Sequence, residues 1–322
     1  MIPPKDKLTL CFAHVAYQMH ARFARRDTGM SAFQVWNKAE LDTRIADADV
    51  LVVSGLWRNE LLERALKLRF IQSIGAGTDQ FSRDLLRERG IRLASASGVN
   101  ARAVSDHAMA LILALARRLP EARDNQARRH WRGMIGDLDK REDELSGKVI
   151  AIVGIGAIGG RLARLAKAFD MRVIGIRRDA AAGKGDADSV FGLAALKEVL
   201  PEADFVALCC PLTKETEKLI DAQAFARMKP SAFLVNVARG RCVDEPALIE
   251  ALRSNRIAGA GIDVTVEEPL SPSSPLWAME SAFITPHTAG ETRRYEDNVL
   301  DILLDNLARL WRGEAALRNQ VV

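Results

Sequence analysis

The sequence predicts an α/β protein of two domains, each built on a parallel sheet covered by helices. Three observations carry that reading. The chain has 322 residues, about twice the ~150 of an average domain. Short apolar, strand-like runs alternate with charged, helix-like segments along most of its length, the pattern of a helix-covered parallel sheet. That alternation breaks once, between about residues 100 and 147, and then resumes.

In the first series, residues 8–13, 50–53, 70–74 and 91–94 read as strands, and residues 60–67 and 81–89 as charged helices between them. An apolar helix follows over about 103–119 and stops at Pro120, which lacks the N–H a helix interior needs. Residues 121–144, rich in Arg and Asp, read as a solvated connection. The second series starts at Lys148. Its strands fall near 149–153, 172–176, 205–208, 232–236, 261–264 and 283–284, and a helix over about 293–311 closes the chain.

Composition narrows the function classes. With 48% hydrophobic and 27% charged residues the chain is ordinary globular material. Its 46 Lys and Arg against 42 Asp and Glu leave a net charge of +4, too mild for a strongly basic nucleic-acid binder. A small anionic substrate stays open, because a local basic pocket needs few residues. Cys11, Cys209, Cys210 and Cys242 have no CxxC spacing, so buried free thiols are expected and no metal site is. Residues 1–7 lack the apolar core of a signal peptide, and the longest strongly apolar stretch, 108–116, is too short to span a bilayer. The expectation is a soluble, cytoplasmic protein with no membrane partner.

The most informative local pattern is Gly154-Ile155-Gly156-Ala157-Ile158-Gly159, set between the strand at 149–153 and a helical segment over 161–169. The first glycine permits a tight turn, the second lets backbone approach a pyrophosphate, and the third lets helix and strand pack closely. The helix N-terminus then offers N–H groups and a favourable dipole to the phosphates. A glycine-rich turn serving packing alone is the competing explanation. At the end of the next strand, where an NAD site usually places an acid for the ribose diol, stand Arg177 and Arg178, with Asp179 two residues late. A guanidinium cannot accept from a ribose hydroxyl but binds a 2′-phosphate through its fork of donors. The pair predicts NADP(H) over NAD(H), with NAD(H) still admissible; a solvated Arg pair is the alternative.

Three downstream segments carry the chemistry: Asn236-Val237-Ala238-Arg239-Gly240, Asp263-Val264-Thr265-Val266-Glu267-Glu268-Pro269-Leu270 and Thr285-Pro286-His287-Thr288-Ala289-Gly290. With the glycine turn, Pro211-Leu212-Thr213 and Gly75-Ala76-Gly77-Thr78-Asp79, they resemble the signature segments of the D-isomer-specific 2-hydroxyacid dehydrogenases, over essentially the whole chain. Reducing a 2-oxo acid requires an anchor for the carboxylate, a proton for the developing alkoxide and a hydride. Arg239 offers a planar fork for the carboxylate and its adjacent carbonyl. His287 can give or take a proton near neutrality. Glu268 would orient the imidazole and favour its protonated form. The resemblance assigns these same catalytic roles to Arg239, Glu268 and His287, and places the acid directly before Pro-Leu, which selects Glu268 over Glu267. His14, His20 and His130 read as structural, as does His107 after Asp106 at the start of the long helix.

The resemblance implies more. Two flavodoxin- and Rossmann-like domains would place the active site in the cleft between them, with closure excluding water. The substrate domain would comprise residues 1–100 plus 291–322, and the dinucleotide-binding domain residues 101–290. The backbone amides of Ala76 and Gly77 look like the turn that grips the substrate carboxylate. Asp263 is similar to the residue meeting the nicotinamide carboxamide, while Pro211, Ala238 and Ala289 look like cofactor-lining positions. Leu56 and Trp57 lie in a loop that borders the substrate in relatives, though core packing after a strand explains them equally. Thr265, often aromatic in relatives, and Ser105-Asp106, where Ala-Glu is usual, depart from the pattern and would alter pocket shape.

The expected function is an NADP-preferring reductase of small anionic 2-oxo acids to (R)-2-hydroxy acids, with glyoxylate and hydroxypyruvate favoured. Relatives pair as homodimers through the cofactor domain, which makes the helix at about 103–119 a candidate contact. A 3-phosphoglycerate dehydrogenase-like enzyme shares the triad; no appended regulatory domain is expected after Val322, which disfavours its longer forms but not its short ones. Formate dehydrogenase fits less well, since that subgroup usually carries Gln at the Glu268 position. A non-catalytic, NAD(H)-sensing binding protein is the rival from another class.

Overall fold

In the computed structural model, which describes residues 2–322, the apolar runs of the sequence form two separate sheets in which every pairing is parallel. The first sheet belongs to a unit that runs to Asn100 and resumes over Thr292–Val322. It is built from β1 (Thr9–Ala13), α1 (Met19–Ala24), β2 (Ser31–Val35), α2 (Lys38–Arg44), β3 (Val50–Val53), β4 (Phe70–Ser73), α3 (Arg83–Glu88) and β5 (Arg92–Ala94). The strand order β2-β1-β3-β4-β5 is that of flavodoxin-like sheets. Alternate strand residues feed two cores. Cys11, Leu51, Ile71 and Leu93 join one, and Leu10, Phe12, Val50 and Phe70 the other. Burial on both faces is why these strands read as unbroken apolar runs.

The second unit, Ala101–Glu291, opens with α4 (Ala101–Ala116) and α5 (Leu119–Ala127). The βα series follows: β6 (Val149–Val153), α6 (Ala157–Ala168), β7 (Arg172–Ile176), β8 (Ser189–Phe191), α7 (Leu196–Val199), β9 (Phe205–Leu208), α8 (Ala222–Arg227), β10 (Phe233–Asn236), α9 (Glu245–Arg253), β11 (Gly259–Ile262) and β12 (Ala282–Ile284). The sheet order is β12-β11-β10-β9-β6-β7-β8. The chain leaves β6 toward β7 and later returns to β6's other edge with β9, so the carboxyl ends of β6 and β9 form a topological switch point, where open α/β sheets bind ligands.

The last helix, α10 (Tyr295–Trp311), returns to the first unit. Val299, Leu300, Leu303 and Leu307 enter the core that holds Phe12 and Phe70. Tyr295 donates through its hydroxyl to the Ile74 carbonyl at 2.6 Å, and the Asn306 amide donates to Gln72 Oε1 at 3.0 Å, a buried pair. Past α10 the chain runs antiparallel beside β5, with Val321 N–H donating to the Leu93 carbonyl at 2.7 Å.

Several sequence-based elements are revised. Strands β2 and β8 appear where none is predicted, both at sheet edges and half exposed. The helix expected at 60–67 is a 3-10 turn over Asn59–Glu63 that buries Leu61 and Leu62. Pro120 does not end a helix but sits in the first turn of α5, where its missing N–H has no partner to lose. The actual break is at Arg118, with φ of +46°. The expected connection at 121–144 is therefore partly helical. Helix α4 buries Leu111, Ile112 and Leu115 in the core of its own unit. No helix among the described residues is long and apolar enough to cross a membrane.

Candidate active site

Strand β6 ends in the glycine turn, and the turn is shaped by what it touches. Gly154 has φ of +99°, and a Cβ there would meet the backbone of Cys209 and Cys210 at 2.7–2.8 Å. A Cβ on Gly159 would lie 2.1 Å from the Gly154 carbonyl oxygen, so α6 can seat on β6 only without one. Nothing lies within 4 Å of the equivalent position on Gly156. No side chain caps α6 and no acid stands in its first turn, which leaves the amides of Ala157, Ile158 and Gly159 at an electropositive helix end beside that open space. These residues fit a dinucleotide pyrophosphate. At the end of β7, Arg177 donates through Nη1 to the carbonyls of Ala182 and Gly183 at 3.3 and 3.1 Å. Arg178 is a loose, exposed partner of Glu215 at 3.6 Å. Asp179 turns back to accept from Ala181 N–H at 3.0 Å, capping its own turn.

The carboxyl end of β10 presents Arg239. Buried Asn236 clamps the turn, accepting from Ala238 N–H at 3.0 Å and donating to the Arg239 carbonyl at 3.1 Å. The guanidinium donates to the Ala238 carbonyl at 2.7 Å. Gly240 then lies so close to the next loop that a Cβ would be 2.0 Å from Thr265 C and O. Cys210, before Pro211, and Cys242, just past Arg239, act on one another: the Cys210 side chain holds Cys242 below the usual thiol range, and Cys242 together with burial pushes Cys210 up.

The loop after β11 carries the carboxylate that meets the histidine. Glu268 accepts from Thr265 N–H at 3.1 Å on Oε1 and faces His287 Nδ1 at 2.7 Å with Oε2, whereas Glu267 points into solvent. An ionised carboxylate only accepts, so Nδ1 carries the proton and Nε2 is left for other chemistry. His287 is half exposed and its backbone is left-handed, with φ of +55°. Its N–H donates to the Asp263 carbonyl at 2.8 Å. The buried Asp263 carboxylate accepts from Thr288 and Ala289 N–H at 3.0 and 3.1 Å and from the Thr285 hydroxyl at 2.6 Å.

The second unit thus brings together Arg239, Glu268, His287, Asp263, Ala238 and Ala289 on neighbouring strand ends, with Pro211 after β9. Asn236, Gly240 and Thr285 were not singled out from the sequence, although all three lie in the quoted motifs. In the first unit Ala76 and Gly77 occupy the loop after β4, with Ala76 exposed. Leu56 and Trp57 are core residues beside Phe81, and Trp57 Nε1 donates to Asn59 at 3.1 Å.

A parallel sheet with an open glycine turn at its switch point, next to an arginine and a histidine–carboxylate pair, defines a dinucleotide-dependent enzyme. Residues 109–289 match the family model for the D-isomer specific 2-hydroxyacid dehydrogenase NAD binding domain. The chain belongs to the D-isomer specific 2-hydroxyacid dehydrogenase family, oxidoreductases that act on CH–OH donors with a nicotinamide cofactor. It is 37% identical over 290 residues to a glyoxylate reductase of Pyrococcus furiosus, covering 86% of this chain and 83% of that one. It is also 37% identical to glyoxylate/hydroxypyruvate reductase B of Yersinia enterocolitica, covering 86% and 85%. Among solved structures, the TT0316 protein of Thermus thermophilus superposes with a TM-score of 0.84 at 34% identity, over 98% of this chain and 100% of that one.

Proposed function

We propose that the protein reduces small 2-oxo acids to (R)-2-hydroxy acids, with glyoxylate and hydroxypyruvate as substrates and NADPH as the preferred reductant. The observation that carries this reading is the 2.7 Å pair of His287 and Glu268 on a loop packed directly against the Arg239 turn. A bound nicotinamide supplies the hydride. Arg239 binds the carboxylate and the adjacent carbonyl through its planar fork. His287 delivers a proton from Nε2 to the oxygen that becomes the hydroxyl, while Glu268 holds Nδ1–H and stabilises the imidazolium. The names of the Pyrococcus and Yersinia relatives support the substrate class.

Cofactor preference rests on Arg177 and Arg178 at the end of β7, where Asp179 turns back to accept from Ala181 N–H. Self-association through the second unit is supported by its exposed apolar side chains: Leu119, Trp131, Met134 and Leu138 are 53%, 96%, 103% and 74% exposed. Isolated surface hydrophobes are common, but four along one short segment mark an interaction site.

The deciding experiment is a kinetic grid of NADH and NADPH against glyoxylate, hydroxypyruvate, pyruvate, 3-phosphohydroxypyruvate, phenylpyruvate and ketopantoate, with light scattering on the same sample. Highest kcat/KM with NADPH and glyoxylate or hydroxypyruvate, from a dimer, is the expected result. Preference for 3-phosphohydroxypyruvate would assign a phosphoglycerate dehydrogenase instead. Dinucleotide binding with no oxidation across the panel would assign a sensor.

A further inference from the structure

The first two turns of α4 are braced from two sides. On one side Arg161, from the helix that follows the glycine turn, places Nη1 2.6 Å from Ser105 Oγ and 2.5 Å from Asp106 Oδ1. The Ser105-Asp106 pair that departs from the family pattern is therefore an anchor for α4 on α6. On the other side the next residue, His107, reaches across to the catalytic loops. Its Nε2 lies 2.9 Å from Thr285 Oγ1 and 3.6 Å from Asp263 Oδ1.

Proton bookkeeping on the threonine gives this contact a direction. Thr285 has one hydroxyl proton, and it is donated to the Asp263 carboxylate at 2.6 Å. The hydroxyl oxygen can then only accept from the histidine, so His107 carries its proton on Nε2. Asp263, almost wholly buried, spends its other acceptor sites on Thr288 and Ala289 N–H, and its carbonyl accepts from His287 N–H. The series His107, Thr285, Asp263 ends on the backbone that holds His287 at φ of +55°. A non-glycine residue in that region persists only where its surroundings over-determine it.

We infer that His107 is a positioning residue for this reaction: its Nε2–H fixes the Thr285 hydroxyl, which fixes Asp263, which holds the His287 loop in its working conformation. The inference rests on the reading of His287 as proton donor. His107→Leu removes the donor while keeping bulk, and His107→Gln restores an N–H near the Nε2 position. Thr285→Val and Thr285→Ser break and retain the middle link without touching α4.

The expected result is a tenfold or greater fall in kcat for His107→Leu and Thr285→Val, with KM for NADPH changed less than threefold and most of the rate regained in the Gln and Ser variants. In 15N-histidine NMR spectra the His287 ring signals should move in the two disrupting variants and return in the two conservative ones. A wild type inactive on every 2-oxo acid overturns the functional reading, and the NMR comparison still tests the relay. An active wild type whose Leu and Val variants match it, or whose Gln and Ser variants are as slow as Leu and Val, overturns the role of His107. If His107→Leu does not fold, the Thr285 pair decides by the same criteria.

Discussion

Gly240 and Thr265 meet backbone to backbone: a methyl group added to Gly240 would sit 2.0 Å from the Thr265 carbonyl carbon and oxygen. The turn presenting Arg239 and the loop presenting Glu268 are thus in register because one residue has no side chain. Gly240→Ala should separate them. Displacing a reacting group by about 1 Å costs on the order of 10²-fold in rate. We expect a loss of that size in kcat/KM, with dinucleotide affinity, measured by NADPH fluorescence, reduced far less. An alanine variant with normal kinetics would show that the two loops need not touch.

His287→Ala should lower kcat by a factor of ~10²–10⁴, the usual contribution of a positioned proton donor. Glu268→Gln is the more discriminating change. It keeps the shape but lets an amide N–H face Nδ1, favouring the wrong tautomer and withdrawing the charge that stabilises imidazolium. The expected signature is a kcat loss with little change in the KM for NADPH. Near-normal turnover in His287→Ala would reject it as the donor.

Cofactor choice should follow the two arginines of β7. A hydrogen bond to a charged group is worth ~1.5–3 kcal/mol, so Arg177→Ala with Arg178→Ala should cut the NADPH/NADH ratio of kcat/KM by at least about tenfold. Arg177 also ties down the carbonyls of Ala182 and Gly183. The ratio of the two cofactors, measured on one variant, separates loss of phosphate binding from loosening of that loop.

The buried Asn306–Gln72 pair makes a stability prediction. Asn306 donates to Gln72 and to the Arg318 carbonyl and accepts from Arg318 N–H, at 2.7–3.2 Å. Asn306→Ala leaves the buried Gln72 Oε1 without its donor, at about 1–3 kcal/mol for a buried group left unsatisfied, and frees the part-buried Arg318 backbone. Urea unfolding followed by circular dichroism should give a lower midpoint, and activity at 25 °C should survive.

How much of this was legible beforehand depends on what each feature is made of. Strands β6, β7 and β9 coincide with the runs read from the sequence, because central strands buried on both faces are unbroken apolar stretches. Strand β2, Ser-Ala-Phe-Gln-Val, sits at an edge with only Val35 fully buried, so it lacks that signal. Pro120 misled because the same missing N–H that breaks a helix interior is harmless in a first turn. The catalytic segments were legible as motifs. The bond from His107 to Thr285 joins residues 178 positions apart, and no local pattern encodes which helix will lie over which loop. Gly240 stood in plain view, but its reason, the nearness of Thr265, exists only once the sheet is assembled.

The strand-like pairing of Val321 with Leu93 has a consequence for synthesis on the ribosome. The first unit needs α10 and the tail to finish its sheet and core, so its opening hundred residues emerge long before their partners exist. The intervening unit, Ala101–Glu291, holds all of its own strands. Because domains tend to fold as they emerge, the middle of the chain can settle while the leading part waits, exposing the Phe12 and Phe70 face until α10 arrives. Nascent chains halted before residue 295 should engage chaperones through that face.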